Sequence, residues 1–139
     1  MEKEQRIPSP ALKPYAETAF TGNWRNGYEA YLKDEVTGVC YMLPYGKWVI
    51  GRKDEDTADT DIPVTTTEKS MPYMSCRHAV LTLKRNLIGE NVLYIRDFKE
   101  TTNHTYVDRQ PLDEKFDYQL FDKDVVRMGL TLFTAHLRL

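Results

Sequence analysis

The sequence is short of the features that mark specialised classes of protein. It has two cysteines, Cys40 and Cys76, and no CxxC pair. That excludes a disulfide framework and a paired-thiolate metal or redox motif. No apolar run approaches the length of a membrane helix; the longest apolar-leaning stretch, at the C-terminus, is broken by Thr134, His136 and Arg138. Charge of one sign is not in excess either. Nineteen Lys and Arg stand against 21 Asp and Glu, for a net charge of -2. No overall field therefore draws the chain to nucleic acid or to an anionic membrane, and any anion site must be local. The opening MEKEQRIPSPALKP lacks the apolar core of a secretory signal, so a cytoplasmic location is expected. What remains is a chain of 139 residues, 41% hydrophobic and 29% charged. Such a chain is one globular domain that can fold without a metal or a cofactor.

Residues 1–27 differ from the rest. Pro8, Pro10, Pro14, Gly22 and Gly27 punctuate them without sustained periodicity, and they read as a flexible N-terminal tail. From residue 28 onward short alternating segments take over. Tyr28, Ala30 and Leu32 are followed by Val39, Tyr41 and Leu43, then by Trp48-Val49-Ile50. Ala79 to Leu83, Val92 to Ile95, Tyr106-Val107, Val125 to Met128 and Phe133 to Leu139 continue the series. Turn signals recur about every 8 to 12 residues, the spacing of an all-β sandwich or barrel. The domain is expected to span 28–139. Two long loops stand out: an acidic one with Asp54, Glu55, Asp56, Asp59 and Asp61, and a hydroxyl-rich one from Thr65 to Met74.

Several short motifs follow one another in order. Ile50-Gly51-Arg52 ends an apolar strand, and Ser75-Cys76-Arg77-His78-Ala79 opens another. Asp97 closes a third, ahead of Thr101-Thr102-Asn103-His104-Thr105-Tyr106-Val107-Asp108. Leu120 through Gly129 supplies the last, and Thr60-Asp61-Ile62 lies between the first two. This order resembles the forkhead-associated (FHA) domain, whose pattern is IGR, then S-x-x-H-A, then D-x-x-S-x-N-G-T-x-V-N, then L-x-x-G-D-x-I-x-x-G. The resemblance implies an antiparallel, twisted β-sandwich of about eleven strands that binds phosphothreonine peptides without being an enzyme or needing a cofactor. It also implies roles: Arg52, Ser75 and Thr102 on phosphate, Asn103 on the peptide main chain, Cys76 through its backbone N–H and Arg77 at the rim, with Lys99 a further rim cation. Gly51 and His78 would be structural, with His78 buried and bonded to the loop that presents the binding residues. Three positions depart from the pattern: His104 and Lys123 stand at glycine positions and Asp108 at an asparagine.

The chemistry of these side chains fits such a ligand. A phosphothreonine carries a charge of about -1.5 to -2 and three strong acceptor oxygens. The planar fork of an arginine meets two of them at once, which lysine cannot do. Ser75 and Thr102 bring small hydroxyl donors, and Asn103 a donor and an acceptor together. An extended 75–78 stretch would turn Ser75 and His78 to opposite faces, against a nucleophile–base pair. The acids after Arg52 lack the glycine and closing glutamate of a calcium loop and read as a solvated run. Near a phosphate site they would repel the ligand unless directed outward or used to select a basic flank. Thr18, in the tail, is a candidate for phosphorylation and capture by the chain's own site. The alternative function is an interaction scaffold of the same fold with no dependence on phosphate.

Overall fold

The computed structural model describes residues 27–54, 60–66, 69–99 and 101–138, and the backbone of 19–21. Thr18, Glu55, Asp56 and Asp59 lie outside the described residues. Twelve strands are seen among those described: β1 (Ala19–Thr21), β2 (Ala30–Asp34), β3 (Val39–Leu43), β4 (Gly46–Arg52), β5 (Ile62–Val64), β6 (Ala79–Arg85), β7 (Asn91–Asp97), β8 (Tyr106–Val107), β9 (Gln110–Pro111), β10 (Tyr118–Leu120), β11 (Val125–Met128) and β12 (Thr131–Leu137). They form two sheets, β1-β3-β2-β12-β11-β8-β9 and β10-β7-β6-β4-β5. β1 falls within the segment read as a tail and pairs with β3, Phe20 opposite Cys40.

The alternation seen in the sequence is what builds this sandwich. Leu32, Tyr41, Leu43, Val126, Met128, Phe133 and Ala135 line the inner face of the larger sheet. Ile50, Ile62, Leu81, Leu83, Leu93 and Ile95 come from the smaller sheet to meet them, and all are buried. Each such side chain contributes roughly 1.5–3 kcal/mol on leaving water. The sheets are not wholly antiparallel, as the resemblance had implied. β4 and β5 run parallel, with Ile50 beside Ile62 and Arg52 beside Val64.

Register then sets where function can sit. Ile50 pairs with Ala79, and Ala79 with Asp97. The end of β4, the start of β6 and the end of β7 therefore share one rim of the smaller sheet. The β11–β12 turn reaches the same rim through Ser70, whose Oγ accepts from the Leu130 N–H at 3.0 Å and bonds the Thr131 hydroxyl at 2.8 Å. Lys123, at a glycine position of the family pattern, does take a left-handed backbone with φ 75. An L side chain is strained there by about 1–2 kcal/mol, partly offset by the freedom glycine has when unfolded. We expect Lys123→Gly to stabilise the domain by roughly 0.5–1 kcal/mol in urea unfolding.

Candidate functional site

The hub of the rim is the stretch from Ser70 to His78. It opens with a single 3₁₀ turn, Met71–Tyr73, closed by N–H donation from Tyr73 and Met74 to Ser70 O at 2.9 and 3.2 Å. The two carbonyls that follow carry the site. Tyr73 O accepts from Asn103 Nδ2 at 3.2 Å, and Met74 O accepts from Arg52 Nε at 3.0 Å. Arg52 also donates its backbone N–H to Ser75 O at 2.9 Å. Arg52 and Asn103, far apart in sequence, are thus held by three consecutive residues, of which Ser75 is the third.

The Arg52 side chain is 27% exposed, and its Nη1 lies 3.8 Å from Asp54 Oδ2. With Nε fixed on Met74 O, the terminal nitrogens make no hydrogen bond among the described residues. The hydroxyls of Ser75 and Thr102 and the carbonyl oxygen of Asn103 are likewise uncommitted among the described residues. Thr102 is exposed beside Asn103, and no hydrogen bond ties it to the hub among the described residues. Ser75, Cys76 and Arg77 line a shallow hollow of about 150 Å³ with Phe98, over whose ring the Arg77 guanidinium lies at 5.3 Å. Lys99 is exposed. The Cys76 thiol donates to Asp54 Oδ2 at 3.2 Å. That hydrogen bond turns Cys76 toward the acidic loop.

His78 has the architectural place expected of it. It is fully buried, and its Nδ1 accepts the Ser75 backbone N–H at 3.0 Å. Burial holds the imidazole neutral, with its pKa below the ordinary 6.5. The geometry behind this differs from the extended stretch expected for 75–78. Strand β6 starts only at Ala79, and residues 75–78 bend so that the ring reaches back to Ser75. Gly51 makes the bend possible: a Cβ there would lie 2.2 Å from Cys76 O.

The second loop is fastened by contacts the motif reading did not foresee. Asp97 accepts the Thr105 N–H on Oδ1 and meets His104 Nδ1 on Oδ2, both at 2.7 Å. Thr101 Oγ1 donates to His78 O at 2.6 Å. Thr60 Oγ1 donates to Cys76 O at 2.7 Å, and Asp61 Oδ2 accepts from the Val49 N–H at 2.9 Å. These are short polar residues in loops, and only the order of Asp97 and Asp61 in the motifs hinted at them. His104 does not need the left-handed backbone its glycine position had suggested; positive φ falls instead on Asp108 and Arg109, at 49° and 73°.

His104 is 56% exposed. Its hydrogen bond to Asp97 raises its pKa above the ordinary 6.5, chiefly through that bond. A histidine with a raised pKa in the folded state contributes stability in full below pH 6.5, and this is lost as pH rises through the folded-state pKa. His78, with its pKa lowered, acts in the opposite sense and loses its contribution as pH falls. The two are separated by substitution. We expect the melting temperature of wild type minus that of His104→Ala to shrink as pH rises from below 6.5 into the mildly alkaline range, by scanning calorimetry.

A family profile for the FHA domain matches residues 48–129. The chain belongs to the FHA family. Solved FHA domains share its fold. One, described as part of a study of phosphothreonine-dependent FHA domain interactions, is 24% identical with TM-score 0.61, covering 80% of this chain and 98% of its own. The MEK1 FHA domain, solved in complex with a phosphothreonine peptide of HOP1, is 19% identical with TM-score 0.61, covering 79% and 97%. The FHA domain of the CT664 protein from Chlamydia trachomatis is 21% identical with TM-score 0.59, covering 78% and 96%. A comparison with curated proteins gave no match. As an FHA domain the chain carries a recognition fold, and among the described residues no helix is long and apolar enough to cross a membrane.

Proposed function

We propose that this FHA domain binds phosphothreonine peptides as a non-catalytic adaptor in signalling. The observation that carries this is the Arg52 guanidinium, anchored through Nε on Met74 O, its terminal nitrogens making no hydrogen bond among the described residues and only a 3.8 Å ion pair to Asp54. A fork held in this way is preorganised for two phosphate oxygens, so little side-chain freedom is lost on binding. Ser75 and Thr102 supply hydroxyls for the remaining oxygens, and the Cys76 N–H and Arg77 lie next to Ser75. Asn103, held through Nδ2 on Tyr73 O, keeps its carbonyl oxygen for a main-chain N–H of an extended peptide. Two similar domains support the ligand class: one described through phosphothreonine-dependent interactions, the other bound to a phosphothreonine peptide. A non-catalytic role agrees with the engagement of His78, the nearest base, in holding Ser75 N–H. Cys40 and Cys76 form no disulfide among the described residues, which suits a cytoplasmic location.

The test is a titration of matched peptides carrying phosphothreonine, phosphoserine or threonine, followed by fluorescence anisotropy. The phosphothreonine peptide is expected to bind with Kd on the order of micromolar, and the unmodified one at least about 100-fold more weakly. Equal binding of all three would replace this reading with the phosphate-independent scaffold.

A further inference from the structure

The surface beside Asn103 continues past the rim. A hollow of about 100 Å³ bounded by Asn103 opens next to a larger one of about 370 Å³, and Tyr106 and Arg127 line both. Tyr106, Arg127 and Leu132 are cross-strand partners on β8, β11 and β12, so they form one row on the outer face of the larger sheet. The Arg127 guanidinium lies 4.2 Å over the Tyr106 ring and donates from Nη1 to Gly129 O at 2.9 Å. One N–H used in this way leaves four donors on a fixed cation between the hollows. Arg109 adds a second positive charge to the larger hollow, against the single carboxylate of Asp108. Leu130, Leu132 and Val125 leave 52%, 44% and 38% of their surface in water along the same path.

We infer that this groove receives one flank of the phosphopeptide, taking a carboxylate side chain on Arg127 and Arg109 and an apolar side chain on Leu132 and Val125. The inference rests on the phosphopeptide reading of the rim. The groove starts where Asn103 would hold the peptide, and its charge is opposite to that of the flank it takes. Its length fits as well. Strand β11, Val125–Met128, is four residues or about 13 Å long, which four residues of extended peptide match.

The experiment uses a short phosphothreonine peptide with two residues on either side, and versions lengthened by six residues on one side or the other. Each extension is made once with Asp, Glu and Leu and once with Lys and Ser. One acidic–apolar extension is expected to lower Kd about tenfold. Arg109→Glu and Leu132→Thr should each remove most of that gain and leave the short peptide within about twofold, because neither residue touches the rim. Melting curves confirm that both variants are folded. No gain on either flank, or a gain that survives both variants, overturns the groove and leaves the phosphate site intact. Failure of the short peptide to bind in a phosphate-dependent way overturns the reading of the rim, and the groove with it.

Discussion

Replacing Arg52 with alanine is expected to lower affinity for a phosphothreonine peptide at least about 100-fold while the domain stays folded. Two charge-assisted hydrogen bonds to phosphate are worth roughly 1.5–3 kcal/mol each, or about 3–6 kcal/mol together, and every 1.4 kcal/mol is tenfold in Kd. The stability cost is much smaller. The substitution removes the bond from Nε to Met74 O, about 1 kcal/mol, but keeps the backbone bond from Arg52 N to Ser75 O. Arg52→Lys separates charge from shape. An ammonium group retains the charge but cannot bond Met74 O and present two further parallel donors, so a loss of about tenfold or more is expected despite it. Anisotropy titrations of the three proteins against one peptide, with melting curves beside them, check both parts. Full binding by Arg52→Ala would remove the guanidinium from the mechanism.

Much of this site was legible in the sequence, though unevenly. Strands β11 and β12 bury every second side chain and show it as period-2 apolar residues, whereas β2 and β3 also bury Tyr31, Cys40 and Met42 on their second face. β5, β9 and β10 are two or three residues long, too short for any period to register, and the parallel pairing of β4 with β5 leaves no trace in alternation. The resemblance marked Arg52, Ser75 and Asn103, and the structure brings these three to one hub. The means of doing so could not be read, because the anchors are the main-chain carbonyls of Tyr73 and Met74, which every residue type possesses. His78 is buried, as the resemblance implied, but the separate expectation that Ser75 and His78 face opposite sides fails: the 75–78 stretch bends, and the ring accepts the Ser75 N–H. The row of Tyr106, Arg127 and Leu132 was out of reach for another cause. The pairing of Tyr106 with Arg127 is set by register between segments some 20 residues apart, which one sequence does not display.

Gly51→Ala should be the most damaging single-methyl change in the domain. Glycine is usually required where φ is positive, as at Gly38 with φ 76, where an added Cβ meets nothing within 4 Å. At Gly51 the requirement is space. A Cβ would lie 2.2 Å from Cys76 O, 2.5 Å from Cys76 C and 2.6 Å from Ser75 O. These are backbone atoms, so no rotamer change relieves the overlap; the end of β4 must move off the 75–76 turn. Two hydrogen bonds flank the contact, Arg52 N to Ser75 O and His78 N to Ile50 O, each 2.9 Å. Losing or stretching both costs about 1 kcal/mol apiece, and overpacking adds roughly 1–3 kcal/mol. The sum, about 3–5 kcal/mol, is a large share of the 5–15 kcal/mol that holds a domain of this size together. A fall in melting temperature of more than about 10 °C is expected in calorimetry. Gly129→Ala, where the nearest atoms are Met74 N and Ser70 Oγ at 3.0 Å and φ is 62, serves as the milder control at about 1–2 kcal/mol. Because the strand must separate from the very residues that hold Arg52 and Ser75, Gly51→Ala is also expected to weaken phosphopeptide binding when measured well below its melting temperature. A variant that loses stability yet binds as tightly as wild type would show that the β4 end and the 75–76 turn move apart without disturbing the phosphate contacts.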